Sequence, residues 1–277
     1  MSSFTPVLAG PTGVGKTELS LYLAKELHAE IISADSRQIY RELTVGTAKP
    51  THAELEEVPH HFIDELSLGE GFSAGAFARA ATVRIQEIRE RGRIPLVVGG
   101  STLYLHALQG GLADIPTVEA DIRAELQNRL VTEGSERLHA ELRRVDPVSA
   151  ASMDASKSQR IVRALEVYYG TGKPLSHYFA VAPLPATRFR TFVLNRDRSE
   201  LYERIDARVD AMLEGGLLEE VQNLLTQGFS PNLNALRTIG YAEPIRYLRG
   251  EISRAEMVRL LKRNSRRYAK RQLTWFR

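Results

Sequence analysis

The chain has 277 residues, 43% hydrophobic and 26% charged, which supports a sizeable core and argues against disorder. It contains no cysteine, so disulfides, thiolate catalysis and cysteine-based zinc sites are excluded, and a reducing compartment such as the cytoplasm fits. The net charge of +3 excludes a strongly polyanionic chain, and neither a secretory leader nor an apolar run of membrane-spanning length is visible.

The first predicted element is a short apolar strand over residues 4–9. It runs into Gly10-Pro11-Thr12-Gly13-Val14-Gly15-Lys16-Thr17, a G-x-x-x-x-G-K-T pattern followed by a helix over 18–27 with Leu19, Tyr22, Leu23 and Leu27 at helical spacing. Glycines at 10, 13 and 15 let the backbone curl so that successive N–H groups point inward. Together with the start of the helix they make a phosphate cradle. Lys16 adds a charge for the terminal phosphate, and the Thr17 hydroxyl suits Mg²⁺. Such a loop predicts a polyphosphate ligand without saying which.

Residues 30–34 read as a buried parallel strand that delivers Asp35 to the same edge as the loop, where ligands of open α/β sheets sit. Residues 46–50 read as a loop and 59–64 as a short strand with its approach. A helix over 73–91 is capped by Ser73, with Phe77, Ala81, Ile85 and Ile88 on one face. Residues 94–98 are the clearest buried strand, ending at Gly99-Gly100-Ser101. Strands alternating with helices predict a parallel sheet.

From about 114 the pattern turns to charged helices at 120–130, 136–145 and 158–169, closed by Thr171-Gly172-Lys173-Pro174. Residues 190–194 return as a strand, and helices follow over 199–214, 217–227, 241–249 and 253–275. The last opens on a Ser253/Glu256 capping box. It has an apolar stripe (Met257, Leu260, Leu261, Tyr268) and a basic one (Arg259, Arg263, Arg266, Arg267, Lys270). Residues 237–277 carry twelve Lys and Arg against three Glu, and the preceding part of the chain is net acidic. That asymmetry suits a polyanionic partner or a solvated helix face. The predicted class is α/β: a P-loop NTPase-like parallel-sheet core (1–113 and 187–277) with a helical insertion (114–186) and a helical, basic C-terminal region.

Asp35 has two readings: an acid that holds Mg²⁺ directly or through water, or a general base toward a nucleophile at the phosphate site. Gly99-Gly100-Ser101 permits close backbone approach and offers a hydroxyl. His60 and His61 lack partners at metal-ligand spacing and read as structural. Arg160 and Arg163 share a helix face at i, i+3, with Gln159 beside them, and suit phosphates and a base edge. Arg204 and Arg208, at i, i+4, are placed to face the phosphate site. Trp275 and Phe276 read as packing.

Further blocks are GTAKP at 46–50, VPHHFID at 58–64, LVVGGSTLY at 96–104, QRIVRALEV at 159–167, TGKPLS at 171–176, RIDARVDAML at 204–213, IGY at 239–241 and RRYAKRQLTWFR at 266–277. With GPTGVGKT at 10–17 and DSRQIY at 35–40, they make the sequence resemble the tRNA dimethylallyltransferase (tRNA isopentenyltransferase) family along most of its length. The resemblance implies transfer of a dimethylallyl group from its diphosphate to N6 of the adenosine just 3′ of a tRNA anticodon, in the cytoplasm, by a monomer needing Mg²⁺. It implies that residues 10–17 hold dimethylallyl diphosphate, that Thr17 and Asp35 face the metal, and that Asp35, Lys16, Ser101 and Arg208 are catalytic. The tRNA contacts it implies are Asp35, Ser36, Arg37, Gln38, Ser101, Arg123, Gln159, Arg160, Ile161, Val162, Arg163, Arg237, Gly240 and Tyr241. The target adenine must be flipped out to enter such a pocket. A P-loop small-molecule or nucleotide kinase and a non-catalytic RNA-binding P-loop module are the rival readings.

Overall fold

The computed structural model describes residues 4–110, 115–116, 118–180 and 187–277. In the first part the chain runs β1 (Thr5–Ala9), α1 (Lys16–Glu26), β2 (Ala29–Ala34), a 3₁₀ turn (Val45–Thr47), α2 (His52–Glu57), β3 (His60–His61), α3 (Ala74–Glu90), β4 (Ile94–Gly99) and α4 (Thr102–Gly110). Five helices follow: α5 (Ala120–Glu133), α6 (Ser135–Val145), α7 (Pro147–Ala151), α8 (Ser158–Thr171) and α9 (Leu175–Ala180). The chain then returns through β5 (Phe189–Val193), α10 (Arg198–Glu214), α11 (Leu217–Thr226), α12 (Ala242–Leu248) and α13 (Arg254–Phe276). Two compact units result, one of Met1–Gln109 with Ala186–Arg277 and one of Gly110–Pro185. The boundaries expected at 113/114 and 186/187 fall beside segments outside the described residues.

The sheet has the order β3-β2-β4-β1-β5, and all its pairings are parallel. Apolar runs without alternation form β1, β2 and β4, which are buried almost throughout, whereas the edge strand β5 is mostly exposed. Their ends finish level: Ala9 pairs with Gly99 and Val193, and Ala34 pairs with Gly99. The next residues, Gly10, Asp35, Gly100 and Leu194, therefore emerge in one row at the carboxyl edge. Gly99 allows this closeness, since a Cβ there would overlap the Ala34 carbonyl.

Packing around the first helix differs in part from the spacing expected. The buried residues of α1 are Ser20, Leu21 and Ala24, while Tyr22 and Leu27 are 61% and 46% exposed. Leu21 and Ala24 enter the core cluster formed with the sheet, and Leu19 and Leu23, partly buried, pack against it as the spacing predicts. Ser73 caps α3 and Phe77, Ala81, Ile85 and Ile88 are buried, as the spacing predicts.

At α13 the Ser253 hydroxyl accepts from the Glu256 N–H (3.2 Å), but the Glu256 carboxylate turns to Arg259 (2.6 Å) and leaves the capping box half formed. A complete box closes α2 instead, between Thr51 and Glu54. The basic stripe of α13 is also largely tied down. Arg259 pairs with Glu256, Arg266 with Asp206 (2.5 Å), and Arg263 leans on Asn264.

The helical unit has its own core of Leu126, Leu138, Leu142, Ile161, Val162, Leu165 and Val167 with neighbours. Asp146, fully buried, knits it together by accepting from Ser149 N (3.0 Å), Ser149 Oγ (2.6 Å) and Ser176 N (3.0 Å). Those bonds hold its carboxyl below the usual range against the opposing effect of burial.

Candidate active site

The phosphate loop curls as its glycines require: φ is positive at Gly10, Gly13 and Gly15 (157°, 80° and 102°). Gly15 sits left-handed at the cap of α1, which a side chain would strain. Lys16 folds back over the loop, and its ammonium donates to the carbonyls of Gly10 (3.0 Å) and Pro11 (2.8 Å). Burial, with help from the nearby Arg208 charge, lowers its pKa to about 8, while Asp35 pulls the other way. The loop is braced from α13 and α10. Gln272 accepts from Thr12 N (2.9 Å) and donates to Gly100 O (2.7 Å). Arg204 donates to Gly13 O (2.9 Å), and Arg196 to Val14 O (3.2 Å).

Two cavities meet over this edge. One, of about 520 Å³, is lined by Lys16, Thr17, Ser33, Asp35, Gln38, His60, Arg204 and Arg208 among others. The other, of about 440 Å³, holds Ser36, Arg37, Ser101, Arg237 and Arg271 beside apolar Ile205, Val209, Met212 and Leu261. Thr12, Asp35, Thr47, Arg208 and Tyr268 line both. Asp35 is oriented by the Arg37 N–H (2.9 Å), and Ser101 Oγ accepts from Ser36 N (3.1 Å). Arg208 donates to Thr47 O (3.2 Å), and burial lowers its pKa against the pull of Asp35. Burial raises the Tyr268 hydroxyl to about 12, so it stays a donor at neutral pH. The Arg37 Nε is buried with no partner among the described residues.

The residues expected from sequence at the edge, namely the loop with Lys16 and Thr17, Asp35, Ser36, Arg37, Gln38, Ser101, Arg208 and Arg237, thus come together. Others are corrected. Ile161 and Val162 are 0% and 1% exposed, so neither side chain can meet RNA; they are core of the helical unit. Tyr241 lines the second cavity, but it is 1% exposed and its hydroxyl donates to Glu220 (2.7 Å). Gly240 is buried and donates its N–H to Glu243 (3.1 Å). Both shape the wall rather than offer free polar groups. Arg163 is tied to Glu166 (2.6 Å), with Arg123 at 3.6 Å from the same carboxylate, and Gln159 accepts from Gln127 (3.2 Å). Arg160 stays exposed. His61 bridges Glu30 (2.7 Å) and Arg84 (2.5 Å) away from the loop, a structural role. Trp275 packs edge-on against Phe276 (ring centroids 5.1 Å) and stays 44% exposed.

A divalent cation fits the donors present. Thr17 and Asp35 offer hard oxygens to one cavity. This suits Mg²⁺, which is held by one or two protein oxygens plus substrate phosphates.

The family described as "IPP transferase" matches residues 38–277. The chain belongs to the IPP transferase family. Within it, similarity runs to the tRNA dimethylallyltransferase of Salinibacter ruber, 59% identical over 98% of this chain and 84% of that protein. It also runs to tRNA dimethylallyltransferase 1 of Pelobacter propionicus, 48% identical over 98% and 88%. The fold resembles the tRNA isopentenylpyrophosphate transferase of Bacillus halodurans (TM-score 0.71, 41% identity, 99% and 87% covered). It also resembles a eukaryotic dimethylallyltransferase acting on tRNA (TM-score 0.84, 31% identity, 100% and 70% covered).

Three residues of this IPP transferase site were not singled out as site residues from sequence. Gln272 had a signal: it is a polar residue four past Tyr268, on the stripe that Met257 and Leu261 begin. Tyr268 was read as apolar stripe only. Glu220 had no signal; it accepts from Thr44 N (3.0 Å), Val45 N (2.7 Å) and Gly46 N (3.1 Å) and fixes the turn beneath the second cavity.

Proposed function

We propose that this chain transfers a dimethylallyl group from dimethylallyl diphosphate to N6 of the adenosine immediately 3′ of a tRNA anticodon. The observation that carries the reading is that Asp35 and Arg208 belong to two cavities at once, a phosphate cavity and a half-apolar one rich in arginine. A diphosphate on the loop and a flipped adenine in the second cavity would meet at Asp35. The N6 lone pair forms a bond to C1 of the donor as the C1–O bond breaks, and that electron pair leaves on the diphosphate. The N6 proton passes to Asp35, acting as general base. Lys16, Arg208 and the loop N–H groups stabilise the charge that builds on the leaving group. Mg²⁺, which the Thr17 hydroxyl would hold, would add positive charge at the diphosphate; Asp35 would join it as a ligand only in place of its role as base. Ser101 and Ser36 hold the loop that carries Asp35. The exposed Arg160 and the cavity arginines Arg37 and Arg237 would take phosphates of the anticodon stem-loop.

No described helix is long and apolar enough to cross a membrane. We place the reaction in the cytoplasm, carried out by a monomer. Incubation with labelled dimethylallyl diphosphate and bulk tRNA, followed by nucleoside analysis, tests the assignment. N6-dimethylallyladenosine is the expected product; γ-phosphate transfer from ATP in its place would return the chain to the small-molecule kinases, and tRNA binding without product to a non-catalytic RNA-binding module.

A further inference from the structure

Helices α10 and α11 follow one another through Gly215 and Gly216, and each sends one charged side chain to the same short turn, Val45–Thr47. Glu220, half-buried on α11, takes the amino end of the turn. Its Oε2 accepts from Thr44 N (3.0 Å) and Val45 N (2.7 Å), and its Oε1 accepts from Gly46 N (3.1 Å) and the Tyr241 hydroxyl (2.7 Å). Arg208, on α10, takes the carboxyl end by donating to Thr47 O (3.2 Å).

The turn is tightly held between these two side chains. Gly46 lies against the Tyr241 ring so closely that a Cβ there would come within 2.5 Å of it, and a Cβ on Gly240 would come within 2.9 Å of the Gly46 carbonyl. Thr47 Oγ1 lies within donor reach of Leu43 O (3.1 Å) and Thr44 O (3.0 Å). Burial first, and the Glu220 charge second, raise the Tyr241 hydroxyl well above its ordinary range, so it stays a donor. Arg208 depends on this turn. Among the described residues its guanidinium makes one hydrogen bond, to Thr47 O, and no ion pair. Its other N–H donors remain for the phosphate cavity that it lines.

We propose that Glu220 is a positioning residue: by fixing the Val45–Thr47 turn it aims the Arg208 guanidinium at the leaving diphosphate, while lining neither cavity itself. The inference rests on the reading of the phosphate cavity as a diphosphate site. A carboxylate has about four acceptor positions, and here four donors fill them. An amide cannot take its place, because its NH₂ group would face a backbone N–H in either orientation. A group that meets developing charge tolerates little error: a misplacement of about 1 Å, caused from outside the reacting centre, can cost about a hundredfold.

The test is a double-mutant cycle on the whole chain: Glu220→Gln, Arg208→Gln and the pair. It is read as the Kd of inorganic diphosphate with Mg²⁺ and as kcat for prenyl transfer. Free diphosphate carries in full the charge that the leaving group acquires. Arg208→Gln should weaken its binding about ten- to a hundredfold, the worth of a charge-assisted contact. Glu220→Gln should weaken it roughly tenfold, since it misplaces the guanidinium without removing it. In the Arg208→Gln background Glu220→Gln should add nothing. Losses in kcat and in kcat/KM for the donor should match and follow the same pattern, with donor KM held, as for a contact made in the transition state. Tyr241→Phe, which leaves the carboxylate and its three backbone donors in place, should give a smaller loss with the same dependence on Arg208. Glu219→Gln, exposed and adjacent on α11, should change nothing. All variants are measured below the lowest thermal midpoint of the set, so that only folded chains are read. Losses that add in full in the pair, or no loss from Glu220→Gln, overturn the proposal. A chain that binds diphosphate but forms no N6-dimethylallyladenosine sinks the proposed reaction, and the diphosphate cycle still decides the role of Glu220.

Discussion

The sheet edge and helix α8 carry equally plain motifs, yet the structure treats them differently. At the edge, residues as far apart as 12, 35, 101, 208 and 272 converge on two joined cavities, because parallel strands finishing level bring their next residues into one row and α10 and α13 pack over it. On α8 the block Gln159-Arg160-Ile161-Val162-Arg163 scatters. Successive helical residues step about 100° around the axis, so five in a row point all the way round. Ile161 and Val162 fall inward, Arg163 is held by Glu166, and Arg160 alone of the arginines faces out freely. A contiguous motif is a patch when it lies on a loop at a strand end; on a helix it is a ring, and part of every ring is core.

The sharpest test of the edge is Asp35→Asn, which keeps shape and hydrogen bonding and removes basicity. Single-turnover rates should fall about 10²–10⁴-fold while donor and tRNA binding persist. Rescue of the rate by raised Mg²⁺, with donor affinity lost, would move Asp35 from base to metal ligand.

The next largest effect should come from the inward side of α8. Ile161→Ala should cost about 2–5 kcal/mol in denaturant unfolding, with RNA affinity of the folded protein unchanged. A specific loss of RNA binding without loss of stability would put Ile161 back on the surface side of the comparison.

Lys16→Ala should lower kcat/KM for the donor about ten- to a hundredfold and leave tRNA affinity intact. Because the pKa of Lys16 is lowered to about 8, its ammonium is present below that pH and lost above it. Donor affinity should therefore be full on the acid side of pH 8 and fall on the alkaline side, levelling off at about the ten- to hundredfold loss that removing the side chain causes. The Lys16→Ala chain should lack this alkaline limb; a limb that persists belongs to another group.

The smallest effect belongs to the outward side of α8. Arg160→Gln should change stability by no more than about 0.5 kcal/mol. It should remove a single phosphate contact, seen as a drop of about 0.7–0.9 in the salt slope of tRNA binding. An unaltered slope makes Arg160 plain solvated surface.

What was legible in sequence follows the same division. The phosphate loop, Asp35 and the Gly-Gly-Ser turn could be read because each role depends on neighbours a few residues away and on the strand before it. Arg208 could be read because it sits one turn from Arg204 in a helix that follows a strand. The α1 face was legible only in part: Leu19 and Leu23 pack where the spacing puts them, whereas Tyr22 and Leu27 stay exposed. Gln272 and Glu220 could not be assigned because their partners lie far along the chain, at Thr12 and Gly100 and at Thr44–Gly46. Which cations of α13 are neutralised was hidden too, because Asp206 and Asp210, on α10, pair with Arg266 and Lys262.

The brace from Gln272 to Thr12 and Gly100 also sets an order of events during synthesis. The phosphate loop is made before the side chain that secures it, which follows roughly 260 residues later. At about 5–20 residues per second, that gap is on the order of tens of seconds. Throughout it, strand β1, which ends between β4 and β5, has neither neighbour at first and gains them one at a time. The nascent loop must therefore wait, unlocked, for α13, and a ribosome stalled before that helix would display a phosphate-binding sequence that has not yet become a phosphate-binding site.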